Sequence, residues 1–390
     1  MAAMAKLIRN APRDSLEAFL DAQQCPLGER LRSLGPDDDY AGPLLKAVDE
    51  LSDEEHARLT ANADRVVGMT DEFGQTALLS VAEDRLLVEE LQNAHDRSLW
   101  VFLNEPDSFR RAEEIRYTDQ RRQGRMWSSY EAPPEITPDT SAAALEAFQR
   151  QALKLCESID ASCEIYRRCR PNFAAPDSEL YQLTLYHDTR PDTYLQFEDE
   201  RLVRRHRRPV VEASITYEPA AGVIEVVCSG PKAGDELART FAETILHQEI
   251  KGQRVVLRRY DLSPLLAPNE LTFDPEDGVA SVKVTLLRVQ KLETEGARTT
   301  LEINARFAAS IWDHAKDELG ESDLQAAGYI ATQAKIVIKF LPEPGHKRGK
   351  SLPITITVAA RHGCDLKSLT ERERLVGSKY LKRWGLVVEV

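Results

Sequence analysis

The stretch Val210-Val-Glu-Ala-Ser-Ile-Thr-Tyr217, joined by Glu218-Pro-Ala-Ala-Gly222 to Val223-Ile-Glu-Val-Val-Cys228, decides the fold of this chain. Both runs are rich in β-branched residues and alternate between apolar and polar, which is typical of strands, and the linking segment is typical of a turn. Successive side chains of a strand point to opposite faces. One face therefore carries Val211, Ala213, Ile215 and Tyr217, and the other carries Glu212, Ser214 and Thr216. We expect a sheet with one solvated face, whose apolar face is covered by a helix at 234–249.

Further strands are predicted on both sides of this hairpin. Residues 181–187 and 194–197 alternate in the same way, which predicts an antiparallel meander. After the helix, residues 255–260, 279–289 and 299–303 read as strands, and a helix containing Ile311 and Trp312 follows. The last segment pairs 334–340 with 354–358 and ends with a helix at 367–383 and a strand at 386–390. The order of hairpin and helix occurs twice, but no residues match between the two passes, so a duplication would rest on pattern alone.

The N-terminal third has helical periodicity. Its apolar residues recur three and four positions apart, as in Leu78, Ala82 and Leu86. Ser52-Asp-Glu-Glu55 fits a capping box, which predicts that a helix begins near Asp53. Pro106 is expected to open another helix, with Phe109 and Ile115 on one face.

The segment 131–140 contains three prolines and is the clearest linker. We therefore predict an α+β fold with a helical N-terminal domain (1–130), the linker (131–140), an antiparallel sheet with helices (141–252) and a second α+β unit (253–390). This second unit would carry a basic hairpin and a C-terminal helix. The C-terminal region as a whole is expected to consist of mainly antiparallel sheets covered by helices.

Composition excludes several classes of protein. Hydrophobic residues make up 42% of the chain and charged residues 29%, so a disordered or fibrous protein is not expected. No apolar run approaches the roughly 18 residues of a membrane helix, and the first ten residues lack the core of a signal peptide. These observations favour a soluble, cytoplasmic protein of bacterial type. The six cysteines show neither CxxC pairs nor zinc-site spacing, so no metal, cofactor or disulfide framework is predicted.

The net charge of −13 means that any contact with a polyanion must be local. The most suggestive basic cluster interleaves arginines with aromatic residues, a combination that grips a nucleic-acid backbone and stacks bases. Its candidate binding residues are Arg110, Arg111, Arg116, Arg121, Arg122, Arg125 and Trp127. Glu113, Glu114 and Asp119 dilute the cluster, so a solvated helix with internal ion pairs is the alternative interpretation.

A second basic cluster is the densest in the chain. Its candidate residues are Arg204, Arg205, Arg207 and Arg208, which lie in the run Arg201-Leu-Val-Arg-Arg-His-Arg-Arg208. In an extended strand this run is charged on both faces, so it must lie at an edge or in a loop. There it could contact a polyanion, or it could discourage strand addition by a neighbouring molecule.

The third basic cluster contains Lys347, Arg348 and Lys350 in Gly345-His-Lys-Arg-Gly-Lys-Ser351. The segment resembles a phosphate loop in composition, but it has one residue too few between its glycines and joins two strands rather than a strand and a helix. The segment is expected to be a solvated hairpin tip, and the alternative is a basic finger in which His346, Lys347, Arg348 and Lys350 project together.

These clusters lead to three hypotheses of function. The first is a non-enzymatic accessory or regulatory protein that contacts the phosphate backbone of DNA or RNA. The second is a protein-interaction or structural subunit of a cytoplasmic bacterial complex. The third is a hydrolase or nuclease whose carboxylates assemble only in three dimensions, for example Asp274, Glu276 and Asp277 beside a lysine. No local catalytic motif favours the third hypothesis.

Overall fold

The computed structural model describes residues 2–35, 39–122, 126–170, 177–252, 255, 259–293, 296–342, 348–358, 363–368 and 371–388. The chain forms two compact units. The first contains Met1–Arg122 and Ala132–Lys251, and the second contains Gln123–Glu131 and Gly252–Val390. The finer division into a helical domain, a linker and two α+β domains stays a prediction.

The α+β fold is confirmed, with most helices in the N-terminal half of the chain. In chain order the helices are α1 (Ala2–Asn10), α2 (Arg13–Ala22), α3 (Leu27–Ser33), α4 (Ala41–Val48), α5 (Asp53–Gly68), α6 (Glu72–Val81), α7 (Arg85–Glu90), α8 (Ala94–Asn104), α9 (Pro106–Arg121), α10 (Ala142–Leu155), α11 (Pro231–Thr244), α12 (Ile311–Leu319) and α13 (Glu371–Arg383). Short 3₁₀ turns lie at Ser263–Leu265, Pro275–Asp277 and Asp365–Ser368.

The strands are β1 (Trp127–Glu131), β2 (Ala161–Arg170), β3 (Ser178–Asp188), β4 (Asp192–Glu198), β5 (Arg201–Arg207), β6 (Val210–Glu218), β7 (Val223–Val227), β8 (Arg259–Tyr260), β9 (Val279–Lys291), β10 (Arg298–Glu302), β11 (Tyr329–Phe340), β12 (Ser351–Thr357), β13 (Gly363–Cys364) and β14 (Val387–Val388). Among the described residues, no helix is both long enough and apolar enough to cross a bilayer.

The N-terminal helices pack around one apolar core. The predicted capping box is confirmed, because Ser52 accepts from the Glu55 backbone and the Glu55 carboxylate accepts from the Ser52 backbone, so α5 begins at Asp53. Helix α9 begins at Pro106 and buries Phe109 and Ile115, as its spacing predicts. These side chains join residues from α1, α2, α5, α6 and α8 in the same core.

The first unit contains an antiparallel sheet in the order β7-β6-β3-β2, with Leu183 opposite Ile215. The predicted meander is wrong in one respect, since β3 pairs directly with β6 while β4 and β5 form a separate two-stranded ribbon. Helix α11 packs against β6 and β7, and α10 packs against β2. The apolar face is therefore covered by a helix as expected, although α11 spans Pro231–Thr244 rather than 234–249.

The polar face of this sheet is not solvated, which corrects the prediction from alternation. Ser214 is 0% exposed and Thr216 is 2% exposed, because α9 lies over them. The hydroxyl of Thr118 on α9 shares a hydrogen bond with Ser214 Oγ at 2.7 Å and accepts from Gln182 Nε2 at 3.1 Å. Burial of polar groups is tolerated where such hydrogen bonds replace water. The sheet of the first unit thus lies between two helical layers.

The second unit contains the sheet β10-β9-β11-β12-β13. The predicted pairing of 334–340 with 354–358 is confirmed, with Ala334 opposite Ile356. Its inner face buries residues such as Ile336, Ile338 and Ile354, which pack with α12 and α13 side chains in one core. Strands β8 and β14 form a separate pair. Of the strands predicted at 255–260 and 386–390, residues 256–258 and 389–390 lie outside the described residues.

Candidate polyanion-binding surfaces

The arginines at the start of α9 contact carboxylates of their own unit. Arg110 Nη1 lies 2.7 Å from Glu114 Oε1 and its Nη2 lies 2.5 Å from Glu164 Oε2, while Arg111 Nη2 lies 2.7 Å from Glu164 Oε1. Glu164 is on β2. The two arginines therefore connect α9 to the sheet, and their charge is largely compensated by carboxylates of the same unit.

The later arginines of this cluster have similar internal contacts. Arg116 Nη2 lies 2.7 Å from Asp71 Oδ2, and Arg122 Nε lies 2.8 Å from Glu225 Oε1. The Arg121 guanidinium lies 3.8 Å from the centre of the Tyr117 ring. Trp127 is half-buried in β1 of the second unit. Arg125 lies outside the described residues.

A buried ion network lies between α9 and the polar sheet face. Arg168 is 4% exposed and its Nη2 lies 2.7 Å from Asp119 Oδ1, while Arg170 Nη2 lies 3.0 Å from Glu225 Oε2. Burial alone would raise the pKa values of Asp119 and Glu225, but the neighbouring arginines outweigh burial and hold both below their ordinary values. Both carboxylates are therefore ionised at neutral pH and compensate the buried arginines.

A second polar cluster, around Glu114 and Glu212, lies under the same helix. Glu114 is 1% exposed and accepts from the hydroxyls of Tyr166 at 3.2 Å and Tyr186 at 3.1 Å. Burial, reinforced by the charge of Glu114, raises the pKa of Glu212 to about 8. Local sequence could not reveal this cluster, because its members come from α9, β2, β3 and β6.

Three of the four predicted arginines in the run after β4 are also paired. Arg205 Nη2 lies 2.6 Å from Glu198 Oε2, Arg207 Nε lies 3.0 Å from Asp192 Oδ1, and Arg208 Nη1 lies 2.8 Å from Asp188 Oδ2. Arg204 is exposed and has no ion-pair partner in the part of the chain that the structure describes. The ribbon thus presents much less free positive charge than its sequence indicates.

The basic hairpin between β11 and β12 is described only in part. Lys347 lies outside the described residues, and Arg348 is exposed. Lys350 Nζ lies 2.7 Å from Glu373 Oε1. Phe340 N donates to Lys350 O at 2.9 Å, so Lys350 lies directly at the end of the paired strands β11 and β12.

A surface that sequence reasoning missed is the outer face of that sheet. We call it the basic sheet face. Register and burial place five cations on it, namely Lys283, Arg288, Arg298, Lys335 and Lys339. Each is exposed or half-buried, and none has an ion-pair partner within the described ranges. The one carboxylate on this face of the described strands is Glu302, opposite Leu286.

The rest of the basic sheet face is mostly small or neutral and polar. Gln333 lies opposite Arg288 and Thr357, Thr355 lies opposite Lys335, and Ser351 lies opposite Lys339. Lys283 Nζ donates to the backbone carbonyl of Phe307, and Arg288 Nε donates to Thr300 Oγ1 at 3.1 Å. Because both acceptors are neutral, these hydrogen bonds do not compensate the two positive charges. In the sequence, Lys335, Val337 and Lys339 alternate with the apolar residues Ile336 and Ile338, which was a local signal for this face. Its full extent depends on the pairing of three strands.

The carboxylates considered for a hydrolytic site are part of an ion-pair cluster. Lys379 Nζ lies 2.8 Å from Asp274 Oδ2 and 2.7 Å from Asp277 Oδ2, and Arg383 Nη1 lies 2.7 Å from Asp274 Oδ1. Hydrogen bonds from Arg383 and Lys379 lower the pKa of Asp274, and those to both aspartates raise the pKa of Lys379. A lysine held in the charged form cannot act as a general base. The ion pairs instead join Asp274 and the turn at Pro275–Asp277 to α13.

No group of three metal-ligating side chains occurs among the residues that the structure describes. The chain matches no protein-family model and no curated protein.

Proposed function

We propose that this chain is a non-enzymatic nucleic-acid-binding accessory protein that contacts the phosphate backbone through the basic sheet face. The supporting observation is the charge distribution of that face, where five cations without ion-pair partners in the described ranges accompany one carboxylate. The chain as a whole carries a net charge of −13. A local positive surface on an acidic protein attracts a polyanion to one place and repels it elsewhere.

The arrangement of the cations suits contact with a backbone. Lys335 and Lys339 are four residues apart on β11, which corresponds to about 13 Å along an extended strand. Lys283 and Arg288 lie on the neighbouring strand β9, and Arg298 lies on β10. The face carries threonine, serine and glutamine, which can donate to phosphate oxygens, and the described strands present no aromatic side chain there for stacking bases. We therefore propose binding that depends on phosphate charge and little on base sequence.

The Arg110–Arg125 region is not the principal contact in this proposal. Phosphate binding there would have to break the ion pairs of Arg110 and Arg111 with Glu164 and of Arg122 with Glu225, which join this segment to the sheet. Arg348, which is exposed just before β12, is assigned an accessory role, whereas Lys350 is paired with Glu373 and is not required. Arg204 belongs to the first unit and is not required.

The triple variant Arg288→Gln, Lys335→Gln, Lys339→Gln should bind a fluorescently labelled 20-base-pair duplex at least about tenfold more weakly at low salt. The slope of log K against log salt should fall by about 0.9 for each phosphate that the variant can no longer neutralise. Fluorescence anisotropy across a salt series measures both quantities. A matched control removes three charges from the ribbon, as Arg204→Gln, Arg205→Gln, Arg207→Gln, and should retain most of the affinity and slope.

Two outcomes would overturn the proposal. If the wild-type protein binds neither duplex nor single strand at about 50 mM salt, where phosphate contacts are strong, it is not a nucleic-acid-binding protein. If the ribbon variant loses the affinity and the sheet variant keeps it, the contact is the second basic cluster and not the basic sheet face.

A further inference from the structure

The ribbon formed by β4 and β5 is incomplete by itself. Its strands pair only with each other among the described residues, through a two-residue loop in which Asp199 and Glu200 have φ of 46° and 62°. Leu195, Phe197 and Leu202 are 57%, 73% and 59% exposed. The ribbon extends from β3 and β6, to which the hydrogen bond from Thr189 N to Pro209 O joins it, and two strands alone bury little of such apolar surface. The ribbon therefore exposes an apolar surface that a partner could bury.

The exposed apolar side chains share one face. Phe197 lies directly opposite Leu202, and Leu195 lies opposite Arg204. The other face is occupied by ion pairs, since Arg205 contacts Glu198 and the Arg207 guanidinium lies 5.3 Å from the Tyr194 ring centre. Only one face of the ribbon is thus available for apolar contact.

Charge distinguishes the two free edges. In a two-residue hairpin the residues that flank the loop, here Glu198 and Arg201, exchange backbone hydrogen bonds. Thr193, Leu195 and Phe197 then direct their N–H and C=O groups away from β5, at the outer edge of β4. The β5 strand carries Arg201, Arg204 and Arg207, which would repel a second strand of the same kind at its outer edge. The β4 edge is the one that can accept a strand.

The sequence of β4 is complementary to itself. If two β4 strands pair antiparallel about a two-fold axis at Leu195, Leu195 lies opposite Leu195 of the second copy and Thr193 lies opposite Phe197. Asp192 then lies opposite Glu198, but each of these acids already contacts an arginine of its own ribbon, which offsets the repulsion. The equivalent pairing of two β5 strands would place arginine opposite arginine. The β4 pairing also joins Leu195, Phe197 and Leu202 of both copies in one apolar strip.

We propose that the chain forms a symmetric dimer in which two β4 edges pair to make a four-stranded antiparallel sheet. The partner that covers the β4 edge and the apolar face of the ribbon is therefore a second copy of this chain. An isologous interface of this kind is the commonest in soluble oligomers, and it closes after two subunits.

Two proline variants test this edge selectively. Leu195→Pro removes an outward N–H from β4, and Arg204→Pro removes an outward N–H from the directly opposed position of β5, so their local effects on the ribbon are matched. Sedimentation equilibrium of the full chain over a concentration series should give a dimer for the wild type. Leu195→Pro should raise the dimer dissociation constant at least about tenfold, and Arg204→Pro less than about threefold.

A cysteine variant tests the register without depending on loss of structure. Cα atoms of a hydrogen-bonded antiparallel pair lie about 5.5 Å apart, within the usual range for a disulfide. Leu195→Cys should therefore form a disulfide-linked dimer under mild oxidation, above the background of the wild type and of Arg204→Cys on a non-reducing gel. A monomeric wild type at all concentrations, or preferential cross-linking through Arg204→Cys, would overturn the proposal.

Discussion

Replacement of Glu225 by glutamine is expected to lower the free energy of unfolding of the first unit by about 3–5 kcal/mol, since removing one partner of a buried ion pair leaves an uncompensated charge. Glu225 is 5% exposed and accepts from Arg122 Nε at 2.8 Å and from Thr216 Oγ1 at 3.3 Å. Its other neighbour is Arg170, whose side chain is 11% exposed. Differential scanning calorimetry, which can separate the transitions of two units, measures the decrease.

A matched control for this variant is Glu89→Gln. Glu89 contacts Arg85 at 2.7 Å within the short helix α7, where both side chains are exposed. Such a pair contributes about 0.5 kcal/mol or less, so the control should unfold almost as the wild type does. Equal effects of the two substitutions would mean that burial of the Glu225 network does not matter for stability.

Acid provides a second check on the same network. Because the pKa of Glu225 is lowered in the folded state, its contribution to stability is fully present above the ordinary pKa of 4.5 and is lost as pH falls through the lower folded pKa. The Glu225→Gln variant has no such group. The difference in stability between wild type and variant should therefore be constant near neutral pH and shrink in acid.

The sequence predicts the elements of this protein better than their surroundings. Alternation identified the strands around Glu212, Ser214 and Thr216, because side-chain periodicity is a local property. It could not show whether water or a helix covers the polar side chains. Helix α9 covers them because Thr118 of α9 and Arg122, directly after it, provide hydrogen bonds and a charge that match the polar groups of the sheet face.

The candidate sites show the same limit. A dense run of arginines forms a basic surface only when no carboxylate lies near it in space. Arg110 and Arg111 contact Glu164, which is more than fifty residues away in the sequence, so the local run could not show the pairing. The basic sheet face was missed for the opposite reason. Its cations are spread over β9, β10 and β11, and irregularities in the pairing near Gln333 and Ile336 shift the register, so no local run of sequence shows the five together.

Replacement of Glu212 by glutamine is expected to change the pH dependence of stability. Burial, together with the charges of Glu114 and Glu113, raises the pKa of Glu212 to about 8, and Arg121 opposes them. Between the ordinary pKa of 4.5 and a pKa of about 8, the folded state holds a proton that the unfolded state does not. The wild type should therefore lose stability as pH rises through this interval, while the isosteric and neutral glutamine should not.

The wild type and Glu212→Gln should have equal stability, within about 0.5 kcal/mol, at about pH 5, where Glu212 is neutral in the folded state. At about pH 8.5 the variant should be more stable by about 1–3 kcal/mol, a range reduced from the full shift because the Glu212 residue as a whole is only half-buried. Urea unfolding at several pH values measures the difference. Glu146→Gln, at an exposed site on α10, should give a difference that does not change with pH. A Glu212→Gln variant that is less stable than the wild type in alkaline solution would contradict the prediction, because it would show that the ionised carboxylate is stabilised where it lies.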